Sequence, residues 1–362
     1  MLNFNKTYVL PFKFNIPNYT QDFLNQTPKF KRWTKFFKRY LYLTFKGQKN
    51  LEIFSILPKH KSILWVNISA PSLGDSLMDL SSRVMLKDKN VDLFTSKKNA
   101  HIYIEDRIFS NVYTRQADIN HSKYDLVIVD SYSSRSINIK SKITPDAPFI
   151  GMFGYYNGPE VNRILFSFHQ MNHLLGYIKT EGEINISAQN SIAISREDQR
   201  IVNSMDLPTK FIAIVLGGEW DYRTYNQWDE VIEKILFNDK QTNFVFIGSS
   251  NAKDIAKKLV DQFSKSNTLD CVGRFSFNQT AQIIKQAQIL LCCDGGLMHA
   301  SNAVNTPIIP LFARLTPQMQ LTDAIHAFPL FDKSDVNNIP VKKILEKYNE
   351  ASNFVDNHPR GE

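Results

Sequence analysis

Cys293-Asp294-Gly295-Gly296-Leu297-Met298-His299-Ala300, running on to Pro307-Ile308-Ile309-Pro310-Leu311-Phe312, is the stretch whose reading decides the fold. Apolar residues 289–292 before it predict a buried strand. The glycines predict a turn, 297–304 a short helix, and the second apolar run another buried strand. A turn that opens a helix leaves backbone N–H groups unpaired and aimed outward, where they hold a phosphate. Asp294 and His299 flank those groups, so the stretch has the outline of a site for a nucleotide diphosphate.

The same alternation extends on both sides. Residues 62–68, 91–95, 126–130 and 149–153 read as strands, followed by a longer helix over 159–175. A second set begins with strand 211–216 and continues through helix 228–237, strand 244–247 and helix 252–263. Strand 269–272 and helix 277–286 lead back to the opening stretch. Short apolar runs alternating with helices predict parallel sheets covered on both faces. Two such sets in 362 residues predict two α/β domains facing a cleft. The expected division is an N-terminal extension 1–57, a first domain 58–195, a second domain 196–340 and a terminal helix 341–362 returning toward the first domain. The polar region 181–205 reads as the linker.

Charge is concentrated in one place. The net charge is +8, yet residues 28–50 carry eight Lys or Arg and no acid, so the rest of the chain is balanced. As a helix over 29–46, at about 100° per residue, this segment puts Phe30, Trp33, Phe37, Tyr40, Leu41 and Thr44 on one face. Lys31, Arg32, Lys35, Lys38, Arg39 and Lys46 fall opposite. That pattern suits first an in-plane helix on an anionic membrane surface, and second a helix packed on its own domain with a solvated basic side. Nucleic acid is not the expected partner, because surface charge alone does not specify that polyanion. No apolar run approaches the roughly 20 residues of a membrane span, and Met1-Leu2-Asn3-Phe4-Asn5-Lys6 lacks the layout of a signal peptide, so a cytoplasmic location is expected. Cys271, Cys292 and Cys293 sit in apolar contexts without metal-ligand spacing and read as core residues.

Five blocks in order carry a resemblance. Ile63-Leu64-Trp65-Val66 with Leu73-Gly74-Asp75 comes first, followed by 211–218 with Trp228. Phe244-Val245-Phe246-Ile247-Gly248, Val272-Gly273-Arg274-Phe275-Ser276 and Asp294-x-Gly296-x-x-His299 complete the series. Together they resemble the lipopolysaccharide heptosyltransferases, glycosyltransferase family 9. The resemblance implies the GT-B arrangement of two Rossmann-like domains. It also implies a nucleotide-sugar donor, typically ADP-heptose, in the second domain, and inverting, metal-independent transfer onto a lipid-linked saccharide at the first. No cofactor or metal is expected beyond the donor. The chain contains no Asp-x-Asp that would seat a nucleotide-bound cation.

What the resemblance implies for residues follows block by block. Asp75 takes the acceptor hydroxyl's proton as general base, with Asp79, one helical turn on, as a weaker substitute; the bland role of Asp75 is to complement the helix dipole. The backbone around Gly295, Gly296, Leu297 and Met298 cradles the diphosphate, and His299 adds a donor. Asp294 orders the loop near the donor, or simply caps the following helix. The family's turn before Trp228 is Gly217-Gly218 here, and its phosphate-binding Lys is replaced by Asn226. Arg223 is the candidate to supply that charge. Ser249 and Asn251 stand where an acid often grips the ribose, Phe275 where a residue lies against the base, and Thr316 at the end of the sugar-side loop. Ala313 replaces a Gly after the last strand and Arg314 is an addition. The expected enzyme is a glycosyltransferase at the inner face of the cytoplasmic membrane. Its alternatives are a relative using another nucleotide sugar, a nucleotide-sugar epimerase of similar shape, or a non-catalytic nucleotide-sugar or glycan binder.

Overall fold

Apolar strands that alternate with helices in the sequence assemble into two parallel sheets in the computed structural model, which describes residues 28–156, 161–263 and 267–358. The side chains of Lys29, Arg32 and Ser122 also lie outside the described residues. The chain divides into two compact units, the first ending at Ala188 and the second beginning at Gln189.

In the first unit α1 (Lys29–Phe45) precedes β1 (Ser62–Asn67), α2 (Leu73–Asp79), β2 (Asn90–Thr95), α3 (Lys97–Ala100) and β3 (Phe109–Tyr113). Then come β4 (Leu126–Ser131), α4 (Ser134–Ile143), β5 (Phe149–Gly154), α5 (Arg163–Leu174) and α6 (Glu181–Asn185). The sheet order is β3-β2-β1-β4-β5, parallel throughout. The central strands are continuous apolar runs because both of their faces are covered. Leu64, Val66, Val127 and Val129 pack with Ile137 and Ile143 of α4 and with Leu43 of α1. The edge strand β3 has a half-exposed, polar pattern, which is why its sequence gives no strand signal.

In the second unit α7 (Arg196–Asn203) leads to β6 (Ile212–Val215), α8 (Trp228–Asn238), β7 (Phe244–Ile247), α9 (Lys253–Gln262) and β8 (Thr268–Asp270). The chain continues through α10 (Phe277–Gln286), β9 (Ile289–Cys293), α11 (Gly296–Ala303), β10 (Ile308–Ala313), β11 (Leu330–Asp332) and α12 (Val341–Asn357). The order is β11-β10-β9-β6-β7-β8. Ile212, Ile214, Phe244, Phe246 and Leu291 face α8, α9 and α12, while Ala213, Val245, Ile247, Leu290 and Cys292 face α7, α10 and α11. Each fully buried aliphatic or aromatic side chain in these layers contributes about 1.5–3 kcal/mol. Local signals agree with the layers: Ser276 and Gln279 form a reciprocal capping box that starts α10.

Two expectations about the division change. The break falls at Ala188 and Gln189, before the expected 195/196, because the supposed linker holds two helices already committed to a side. Ile184 of α6 packs with Met78, Ile164 and Phe168 of the first unit, whereas Val202 of α7 packs in the second. The terminal helix belongs to the second unit. Val341, Ile344 and Ala351 of α12 are buried with the α8 residues Val231, Ile232 and Ile235, so its apolar stripe is satisfied on the second sheet. The cysteines are buried and free, and burial pushes the Cys271 thiol up to about 11.

Candidate active site

Both sheets start in the middle, wind to one side and then cross to the other, so each has a point where neighbouring strands lead in opposite directions. Ligands in such sheets bind beyond the carboxyl ends of those strands. In the first unit these strands are β1 and β4, and Asp130 staples their ends. Its carboxylate accepts from Ile68 N at 2.9 Å, Ser69 N at 2.7 Å and Ser136 Oγ at 2.6 Å. The loop so fixed runs into α2, whose cap Ser72 accepts from Asp75 N at 3.1 Å.

Asp75 stands in the first turn of α2 with its side chain 22% exposed. Ser72 Oγ donates to its Oδ2 at 2.6 Å, and Arg163 Nη1 donates to its Oδ1 at 2.9 Å. Arg163 is the first residue of α5, and its Nε and Nη2 grip Asp79 Oδ1 and Oδ2, each at 2.7 Å. Asp79 is 3% exposed; burial raises its pKa and the Arg163 guanidinium works against that rise. The structure therefore brings together Asp75 and Asp79, and adds Arg163, which sequence reading missed. Nothing in the local pattern pairs a residue at 163 with one at 75; only the packing of α5 on α2 does.

In the second unit the strands at the crossing are β6 and β9. Gly217 and Gly218 follow β6, and Asp294 to Gly296 follow β9. Gly217 has φ of 75°, the left-handed region that favours glycine, and a Cβ on Gly218 would lie 2.5 Å from Thr224 Oγ1. Ser249 Oγ donates to Asn251 Oδ1 at 2.6 Å, and Asn251 Nδ2 donates to Gly218 O at 2.9 Å, so both expected ribose contacts are engaged in tying this loop to the one after β7. Phe275 is half-buried against the core, with the Arg274 guanidinium 5.9 Å from its ring centroid.

At the turn itself, Gly295 is the N-cap of α11 and no side chain caps the helix, so Asp294 does not have the capping role. Its carboxylate, 4% exposed, instead accepts from Arg223 Nη1 at 3.1 Å. Met298 N donates to Gly295 O at 3.1 Å, which takes it out of the expected cradle. The N–H groups of Gly296 and Leu297 precede any intrahelical acceptor and are the ones the turn presents. His299 lies a full turn inside α11 and is only 3% exposed, beside the buried Met298 and Ala300. Thr316 precedes a 3-10 turn, Pro317–Met319, and its carbonyl accepts from Met319 N at 2.9 Å. Asn226 is held through its N–H to Asn337 Oδ1 at 2.8 Å.

A second cation joins Arg223. Arg314, exposed and with φ of 67°, follows β10, the strand whose Leu311 O accepts from Asp294 N at 3.0 Å. Its guanidinium lies 3.6 Å from the Tyr222 ring centroid, and that of Arg223 lies 5.6 Å from the same ring. The sequence registered Arg314 only as an addition; a left-handed backbone leaves no trace in residue order.

Helix α1 corrects the expected faces. Phe36 and Leu43, which neither expected face includes, are the buried residues, and Arg39 donates to Gly154 O at 3.2 Å and Tyr156 O at 2.7 Å. Arg39 is thus part of the docking seam and not of a free basic surface. Phe30, Trp33, Leu41 and Phe45 are 79%, 48%, 49% and 87% exposed, with Trp33 stacked on Phe37 at 5.3 Å. Lys31, Lys35 and Lys38 are exposed beside that stripe. The helix carries two apolar stripes, and helical spacing alone does not say which one a sheet covers. Among the described residues no helix is long and apolar enough to cross a membrane.

Comparison with known proteins agrees with this geometry. Residues 155–328 match the family described as Glycosyltransferase family 9 (heptosyltransferase). No curated protein sequence matches the chain. In fold the chain is similar to the glycosyl transferase family 9 protein from Veillonella parvula, at 14% identity, covering 83% of this chain and 99% of that one with a TM-score of 0.68. It is also similar to E. coli ADP-heptose lps heptosyltransferase II, at 15% identity, covering 82% and 100% with a TM-score of 0.65. The corresponding values for E. coli heptosyltransferase WaaC with ADP are 15% identity, 81% and 98% coverage, and a TM-score of 0.59. Two doubly wound sheets and the match over 155–328 together make this chain a glycosyltransferase carrying a family 9 (heptosyltransferase) domain.

Proposed function

We propose that the protein moves heptose from ADP-heptose onto a lipid-linked lipopolysaccharide or lipooligosaccharide core, with inversion and without a metal. The second unit holds the donor and the first the acceptor. Asp75 takes the proton of the acceptor hydroxyl. The freed oxygen bonds to the anomeric carbon as the bond to the diphosphate breaks, and the electron pair leaves with ADP. N–H groups of Gly296 and Leu297, with Arg314 nearby, stabilise the charge that grows on the leaving diphosphate. Arg223 neutralises Asp294, which would otherwise repel it. Ser249, Asn251 and Phe275 border the nucleoside, His299 lies within α11 behind the diphosphate turn, and Thr316 borders the sugar side.

The observation that carries this reading is the Gly295-Gly296 turn opening α11 at the crossing of β6 and β9, with its carboxylate already neutralised by Arg223. A peripheral position on the inner face of the cytoplasmic membrane accords with the stripe and lysines of α1. A binding screen of the purified protein against ADP-, UDP- and GDP-sugars tests the donor: tightest binding of ADP-heptose is expected, and a clear preference for UDP or GDP rejects it.

A further inference from the structure

Asp75 and Asp79 share one guanidinium. Arg163 uses two nitrogens on the buried Asp79, at 2.7 Å each, and aims the third at Asp75, at 2.9 Å. The residue is itself fixed. It opens α5, whose cap Asn162 accepts from Leu165 N at 3.1 Å, and its guanidinium lies 5.6 Å from the Phe153 ring centroid. We infer that Arg163 is a positioning residue for transfer, holding the Asp75 carboxylate in one orientation toward the acceptor; this rests on the reading of Asp75 as the base.

The argument is one of geometry and charge. An Asp in a first helical turn, partly exposed, has several side-chain rotamers open to it. Here Oδ1 is held by Arg163 and Oδ2 by Ser72 at 2.6 Å, which leaves one rotamer. Each carboxylate oxygen accepts two hydrogen bonds, so each keeps one site for an acceptor hydroxyl. Charge is arranged to the same end. A cation devoted to Asp75 alone would neutralise the base, but two carboxylates on one cation leave a net negative charge where the proton must go. Among the described residues the charged groups near α2 include Asp130 from β4, which acts on Asp79, and Lys98 from α3, whose Nζ donates to Pro71 O at 3.1 Å. Neither replaces the contact of Arg163 with Asp75.

The test measures kcat and the donor KM of ADP release from ADP-heptose with a lipopolysaccharide-core acceptor. Three variants are needed: Arg163→Lys, the double variant Arg163→Gln with Asp79→Asn, and Asp75→Asn. The double variant leaves no buried charge unpaired, so folding, checked by melting, is preserved. Arg163→Lys is expected to lower kcat about 100-fold with the donor KM unchanged, since displacing a reacting group by about 1 Å costs that much. The double variant, which takes the guanidinium contact from Asp75, is likewise expected to lower kcat with the donor KM unchanged. Wild-type kcat in both folded variants, with Asp75→Asn inactive, would overturn the inference and leave the base in place. Wild-type turnover by Asp75→Asn would overturn the base assignment and the positioning role with it.

Discussion

Arg223 Nη1 lies 3.1 Å from Asp294 Oδ2, joining the loop after β6 to the loop after β9. The carboxylate is 4% exposed and the guanidinium 23%, so removing Arg223 strands a buried charge. Arg223→Ala is expected to cost about 2 kcal/mol, less than the roughly 3–5 kcal/mol of a fully buried pair because solvent reaches the guanidinium. Asp294→Asn removes the charge and costs less. Thermal melts of the two variants check the order, and the reverse order would mean that the pair does not stabilise this turn.

Arg314 should matter to the donor and not to the fold. Its Nε donates to Ser334 O at 3.4 Å, and its guanidinium rests on Tyr222. A charge-assisted contact to a diphosphate contributes about 1.5–3 kcal/mol, so Arg314→Ala is expected to weaken ADP binding about tenfold or more. Calorimetric titration with ADP reads this directly. Unchanged affinity would leave the phosphate to the N–H groups alone.

Acid should weaken the first unit through His169 on α5. Burial lowers its pKa from 6.5 to about 4. Between those values the unfolded chain binds the proton and the folded chain does not, so stability rises with pH across this window and falls as pH drops from about 6.5 toward 4. His169→Gln is expected to flatten that part of the melting-temperature profile. An equally steep profile in the variant would assign the acid sensitivity to other groups.

Helix α1 should bind anionic vesicles through its exposed stripe together with its lysines. Trp33→Ala with Leu41→Ala, and separately Lys31→Ala with Lys35→Ala and Lys38→Ala, are each expected to reduce co-sedimentation with phosphatidylglycerol vesicles. Each lysine near such a surface contributes about 1 kcal/mol. Arg39 is held by Gly154 and Tyr156 carbonyls, so substituting it should lower stability more than vesicle binding. Binding that survives both sets of substitutions would remove the membrane role from α1.

Sequence alone determined whatever depends on local pattern. β7 and α10 fall over the expected residues because an apolar strand and a capped amphipathic helix write their signals within a few positions. The order of such elements, together with the blocks ending at Asp294-x-Gly296-x-x-His299, was enough for two Rossmann-like units and for the family that residues 155–328 match. Two of the four edge strands were not legible: β3 is half polar and β11 spans three residues, and each is a strand only because a neighbour supplies its hydrogen bonds.

Tertiary structure decided the partners. Which stripe of α1 is buried follows from the sheet it meets, since Phe36 and Leu43 are no more apolar than Phe30 and Phe37. That Asp294 answers Arg223, that Met298 N–H is spent on Gly295, and that Arg163 joins Asp75 to Asp79 are relations between distant positions. A charge in sequence has a sign but no neighbour. Packing supplies the neighbour, and with it the difference between a carboxylate that meets substrate and one that holds a loop.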